Sequence, residues 1–150
     1  MRLTSDQYFG EICIETAKRS TCPRASVGSI IVSSRNTIIS AGYNGSPRGF
    51  PHCLDVGCLL DQQGKCLRSV HAEINALIQS PISTEGCILY CTHTPCFECT
   101  KTIINAGIIR VGYIFEYIDQ RVKLFSTQTE NYQLDMLSLA GIETFQITLK

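Results

Sequence analysis

Hydrophobic and polar positions along the chain change period several times, and each change marks an element. From Ser5 to about Arg19, the residues Tyr8, Phe9, Ile12, Cys13, Thr16 and Ala17 fall on one face of a helix, with Ser5 placed to cap it. Cys13 belongs to that apolar face. The runs 27–32 and 37–42 are β-rich and are divided by Ser33-Ser34-Arg35-Asn36, a turn-forming stretch, so an antiparallel hairpin is expected. From Tyr43 to Arg68 neither period survives, and Gly, Pro and Cys accumulate. A loop of that length needs a reason to be ordered.

Helical spacing resumes at Val70, where Ile74, Leu77 and Ile78 follow His71 until Pro81 stops the pattern. Residues 86–92 read as a strand. Pro95 then opens a second helix near Cys96, with Gly107 as its C-terminal stop. This places His71 in the first turn of one helix and Cys96 and Cys99 in the first turn of the other. Residues 110–115 form another strand, a polar tract around 126–131 follows, and 132–140 and 142–149 close the chain as helix and strand. Strands alternating with helices predict an α/β domain on a mixed sheet. With no internal repeat and no linker, residues 1–150 are expected to be one domain.

Composition narrows the class. A 44% hydrophobic content with 5 prolines supports a packed core rather than disorder. Thirteen basic and 13 acidic side chains cancel, which disfavours a long nucleic acid as partner. A small anion held by a few arginines and backbone amides stays compatible with that balance. Asp6 and Glu11 interrupt any apolar leader, and no run reaches the ~18 residues of a membrane helix. The expectation is a cytoplasmic protein without a membrane partner. Its 9 cysteines are then reduced, serving as metal ligands or core residues. Cys87 and Cys91 share a strand face with Leu89 and read as core.

His71-Ala72-Glu73 and Pro95-Cys96-Phe97-Glu98-Cys99 carry the chemistry. One imidazole and two thiolates fill three corners of a zinc tetrahedron and leave the fourth open for water. Glu73 is the carboxylate placed to move that water's proton. Helix starts at both motifs would bring two positive helix ends to the same point and lower the thiol pKa values. A redox Cys-x-x-Cys pair explains neither His71 nor Glu73. The combination H-x-E with P-C-x-x-C is the signature of zinc deaminases.

With HAEINAL, TPCFECTK and the segment from Gly42 to Gly49 (GYNGSPRG), the chain resembles the cytidine deaminase superfamily, and within it the deoxycytidylate deaminases, over nearly its whole length. The resemblance implies a three-layer α/β/α fold around a mixed five-stranded sheet. It also implies hydrolytic deamination of dCMP to dUMP and ammonia, feeding dTMP synthesis. Glu73 would shuttle protons between water, the pyrimidine ring nitrogen and the departing amine, and the Ala72 amide would hold the ring carbonyl. Asn44 would bind the sugar hydroxyl, although Asn44-Gly45 is also a favoured turn pair. Arg24, Ser46 and Arg48 are the candidate phosphate partners, because arginine grips phosphate through paired donors. Phe115 and Tyr117 are candidates for contact with the base, with core packing as the competing reading. His93, two residues before Pro95, is placed to shape the pocket, whereas His52 reads as a loop residue.

Cys22, Cys53, Cys58 and Cys66 remain outside the catalytic set, and four thiolates close a structural zinc site. Such a site would explain how the long loop is ordered, with His52 as an alternative ligand. Related deaminases carry an additional zinc in this region. The resemblance further implies a homohexamer activated by dCTP with Mg²⁺ and inhibited by dTTP. Two other readings stay open: a superfamily enzyme acting on a free nucleoside or another small heterocycle, and a catalytically silent zinc-binding module.

Overall fold

The computed structural model describes residues 1–119 and 131–150. Five residues of the polar tract, 126–130, lie outside that description. The first helix, α1 (Ser5–Ala17), is capped by Thr4 and not by Ser5. Thr4 Oγ1 accepts from the Gln7 amide at 3.2 Å, and Gln7 Oε1 accepts from the Thr4 amide at 3.1 Å. This reciprocal pair satisfies two amides that have no partner inside the helix, which Ser5 one residue later cannot do.

Strands β1 (Gly28–Val32) and β2 (Ile38–Tyr43) form the expected antiparallel hairpin. Asn36 takes φ 60° in the turn, a conformation that asparagine tolerates better than most side chains. The long loop is not structureless. It contains a short helix, α2 (Cys53–Val56), and isolated bridges pair Gly45 with Val70 and Leu60 with Cys66. Then follow α3 (Ala72–Ile78), β3 (Ile88–His93), α4 (Phe97–Asn105), β4 (Arg110–Phe115), α5 (Tyr132–Leu139) and β5 (Glu143–Gln146). Gly107, at φ 78°, terminates the α4 segment as expected.

The sheet order is β2-β1-β3-β4-β5. β1 runs antiparallel to both neighbours, whereas β3, β4 and β5 are parallel and are joined by crossovers through α4 and α5. Both faces are covered. Phe9 and Cys13 of α1 pack on Ile30, Val32, Ile88, Tyr90 and Ile114. On the other face Ala76, Cys99, Ile103 and Leu137 pack on Ile31, Leu89, Cys91 and Val111. The result is a three-layer α/β/α fold, in which β1 is buried at all 5 positions. Cys13, Cys87 and Cys91 are core residues.

Gly42 fixes where α3 lies. A Cβ at this position would stand 2.3 Å from the Ala76 amide nitrogen and 2.4 Å from the Ala72 carbonyl oxygen, both backbone atoms that cannot swing aside. Gly42→Ala is therefore expected to push α3 off β2 and cost about 2–3 kcal/mol, measured as a lower urea midpoint. Unchanged stability would show that the helix is not seated on this glycine.

Candidate active site

Two helix starts bring the ligand motif together. His71 is the N-cap of α3 and Cys96 the N-cap of α4, one residue ahead of the first turns in which the sequence placed them. Cys99 lies in the first turn of α4, as expected. Neither cap side chain is used for a capping bond, which leaves both free to face one another. His71 Nδ1 is 3.3 Å from Cys96 Sγ and 3.3 Å from Cys99 Sγ, and all three donor atoms lie within 4.8 Å of one another. Tetrahedral zinc with Zn–S near ~2.3 Å and Zn–N near ~2.1 Å needs donors roughly 3.5–3.8 Å apart. The donor set fits.

The electrostatics agree with the geometry. The Cys96 thiol is lowered to about 4, chiefly by its hydrogen bond with Cys99, with His71 lowering it further. Cys99 is raised in turn, because the two sulfurs share one proton and the site is buried. The hydrogen bond with Cys96 raises His71. A cation that displaces these shared protons is the natural occupant.

Glu73 follows His71 by two residues and is only 4% exposed. Burial raises its carboxyl above the ordinary carboxylate range, which suits a group that must hold and release a proton. Its Oε2 is 3.6 Å from Cys99 Sγ, so the carboxyl is at the ligand cluster itself. Ala72 is fully buried against Gly42, leaving a small side chain beside the centre.

A second thiol cluster occupies the loop. Cys53, Cys58 and Cys66 bring their sulfurs within 4.8 Å of one another, with 3.9 Å between Cys53 and Cys66. Cys22 is outside that set, yet its charge helps raise Cys58. Desolvation is the largest cause and takes that thiol to about 11. Burial also acts against the Cys66 thiolate, but backbone amides of Ser69, Arg68 and Leu59 outweigh it and bring that thiol to about 7. His52 caps α2, exposed and outside the cluster. Arg68, which the sequence reading missed, donates to the Gly57 carbonyl at 2.7 Å and lies 3.8 Å from Cys53 Sγ. Its position two residues after Cys66 was the available signal.

The remaining candidates separate. Asn44 is buried and spends its amide on the backbone, accepting from Val27 N and donating to Ala25 O, both at 2.9 Å. Arg24 donates to Gly64 O at 2.7 Å, and Ser46 Oγ is 3.9 Å from Cys53 Sγ. Both contacts tie these side chains to the loop. Arg48 is exposed, with no hydrogen-bond partner among the described residues. Phe115 is half exposed against His93, with ring centroids 5.3 Å apart. Tyr117 lies beyond the end of β4, its amide donating to Thr94 Oγ1 at 3.2 Å. The core-packing alternative fails for these two rings. Asp119, also missed, is 2% exposed and accepts from the Phe97 amide at 3.4 Å, securing the start of α4.

Comparison with known proteins agrees with the site. The family model for the cytidine and deoxycytidylate deaminase zinc-binding region matches residues 3–115. ComE operon protein 2 of Bacillus subtilis is 40% identical over 151 residues, covering 99% of this chain and 74% of that protein. Deoxycytidylate deaminase of Schizosaccharomyces pombe is 33% identical over 150 residues, and this chain spans only 43% of its length. The dCMP deaminase of cyanophage S-TIM5, solved with dCMP and dUMP, is 31% identical with a TM-score of 0.78, covering 98% of this chain and 99% of that one. The chain belongs to the zinc-binding cytidine and deoxycytidylate deaminase family.

Proposed function

We propose that this protein converts dCMP and water to dUMP and ammonia, supplying the precursor for dTMP synthesis, and that residues 1–150 act as one domain. The observation that carries the reading is the convergence of His71, Cys96 and Cys99 with a buried Glu73 at the same cluster. The similar cyanophage enzyme, solved with dCMP and dUMP, supports the choice of substrate.

His71, Cys96 and Cys99 would hold the zinc ion. When bound there, zinc supplies a Lewis acid that makes water acidic enough to attack at neutral pH. Glu73 takes a proton from that water and places it on the ring nitrogen, which leaves carbon 4 electrophilic. The hydroxide so formed would add to carbon 4, and Glu73 would then carry the proton of that new hydroxyl to the amine, so that the C–N bond breaks, ammonia leaves and the ring carbonyl forms. The Ala72 amide, at the start of α3, holds the ring carbonyl. Asn44 keeps its place by the sugar, since an amide oxygen that accepts from Val27 N has a second lone pair. Arg48 is retained as a phosphate contact.

The test is ammonia release from dCMP, dCTP, deoxycytidine and CMP. A preference for dCMP over deoxycytidine of at least about tenfold in kcat/KM is expected from a charge-assisted phosphate contact. Equal rates on the free nucleoside would overturn the choice of substrate. Repeating the assay with dCTP and Mg²⁺, or with dTTP, tests activation and inhibition. Light scattering tests the homohexamer. Among the described residues no helix is long and apolar enough to cross a membrane, and a cytoplasmic location is part of the same reading.

Cys53, Cys58 and Cys66, with Cys22 as fourth ligand, are proposed to hold a second zinc that orders the loop. Elemental analysis of fully loaded protein is expected to give two zinc ions per chain, falling to one in Cys58→Ala. One ion in the parent protein would sink the second site.

A further inference from the structure

Lys65 joins the long loop to the catalytic cluster. Its Nζ is 3.6 Å from Glu98 Oε2, and the same carboxylate oxygen lies 3.6 Å from Cys96 Sγ. Lys65 immediately precedes Cys66 of the loop thiols, and Glu98 lies between Cys96 and Cys99 in the first turn of α4. An ion pair therefore spans the two thiol clusters.

A tight turn presents Lys65. Asp61 Oδ1 accepts from the Gln63 amide at 2.9 Å and from the Lys65 amide at 2.8 Å, and the Asp61 amide donates to the Lys65 carbonyl at 2.8 Å. Gly64 turns the chain at φ 80°, and its carbonyl accepts from Arg24 at 2.7 Å. Beside the turn, Cys66 pairs with Leu60 by an isolated bridge, and its sulfur is 3.9 Å from that of Cys53. Whatever orders the loop thiols thus also holds Lys65 against α4.

Charge gives the pair its consequence. A Cys96 thiol can donate its hydrogen to Glu98, but a metal-ligating Cys96 is a thiolate with no hydrogen to give. Carboxylate and sulfur then become neighbouring like charges, and the Lys65 ammonium on the same oxygen offsets their repulsion. The ammonium does not oppose the ion itself, because two thiolates already cancel the charge of a divalent metal. Lys65 is also felt at His71. The hydrogen bond with Cys96 raises that ring, and Lys65 acts in the opposite sense, toward the neutral imidazole that a metal requires.

We propose that Lys65 is a positioning residue for the catalytic cluster: held by the loop thiols, it keeps Glu98 from opposing Cys96 as a ligand, so that metal in the loop strengthens metal binding at His71, Cys96 and Cys99. The proposal rests on the two-zinc reading and adds a coupling between the sites. The side chains of Lys65 and Glu98 are 42% and 45% exposed, so solvent screens the pair and the coupling is severalfold rather than orders of magnitude. Linkage makes it reciprocal, and metal at the catalytic cluster tightens the loop site by the same factor.

Cobalt(II)-loaded protein is challenged with graded chelator, and the absorption bands of the two ligand sets, which differ with the number of sulfurs, report the loss of each ion. Lys65→Met is expected to weaken the catalytic cluster about three- to fivefold, the upper part of what an exposed pair contributes, with unchanged circular dichroism. Lys65→Arg keeps the charge and is expected to stay within about 1.5-fold of the parent. Glu98→Gln removes the carboxylate that Lys65 answers, so adding Lys65→Met to it is expected to change affinity by less than about 1.5-fold. Cys58→Ala, which opens the loop site, is expected to weaken the catalytic cluster to a similar degree as Lys65→Met, with little further loss when the two are combined.

An unchanged affinity in Lys65→Met, or a penalty that persists in the Glu98→Gln background, would overturn the role of the pair. A Lys65→Met effect undiminished in Cys58→Ala would overturn the coupling to the loop. If the parent protein holds one ion only, the two-zinc reading fails. The Lys65 and Glu98 variants at the remaining ion then still decide the pair: a penalty that depends on Glu98 upholds it, and any other result removes it.

Discussion

Glu73→Gln is expected to retain the fold and the zinc while losing turnover by about 10³-fold, the range of a positioned proton shuttle. Glutamine preserves volume and can still hydrogen-bond, so the variant isolates proton transfer from packing. Glu73 is almost fully buried at the ligand cluster, with its carboxyl raised by desolvation. Glu98 also reaches the cluster, 3.6 Å from Cys96 Sγ, but its side chain is nearly half exposed and paired with Lys65, whereas Glu73 is buried. The check is kcat on dCMP together with metal content and circular dichroism. Turnover within tenfold of the parent, in a folded and zinc-loaded variant, would remove Glu73 from the mechanism.

Cys99→Ala is expected to abolish activity by a different route. Cys99 is both a candidate ligand and part of the core against which α4 packs on the sheet. Its loss should lower zinc content by one ion per chain and reduce turnover to background. Stability should fall by about 3 kcal/mol or more, because a tightly bound ion stabilises only the folded state. For a chain of this size that is roughly 6–12 °C in Tm. Cys13→Ala is the control, since Cys13 is equally buried but packs on the opposite face of the sheet from the ligand set. It should lose stability with normal zinc and normal kcat. If Cys99→Ala kept its full zinc content, His71 and Cys96 would have to bind without it, and the ligand assignment would fail.

Much of the fold was legible because its signals are local. The apolar face of α1, the turn between β1 and β2, and Pro95 and Gly107 around α4 are each set by a few neighbouring residues. Boundaries moved where a neighbour decided them. The cap shifted from Ser5 to Thr4 because Gln7, three residues on, completes the reciprocal bond. The last strand shortened from the expected 142–149 to Glu143–Gln146, the stretch that pairs with β4.

The site divides in the same way. His71, Glu73, Cys96 and Cys99 could be read from the chain because each pair lies within one or two residues of a helix start, so local geometry carries both members to the same place. Arg24, Ser46 and Asn44 depend on what the loop folds against. Polar side chains there spend their hydrogen bonds on nearby backbone and sulfur, and no spacing rule predicts that choice.

The sequence by itself carried the candidate chemistry, with the residues proposed as zinc ligands and proton shuttle grouped at two helix starts, and its alternation of strands and helices carried the α/β class. Tertiary structure decided which partners the polar side chains of the loop take. Gly42 brings α3 within reach of β2, Arg24 donates to the Gly64 carbonyl, and Thr92 Oγ1 pairs with the His93 ring. These outcomes depend on contacts between segments tens of residues apart, where burial requires each polar group to find a partner and so leaves few of them free to bind.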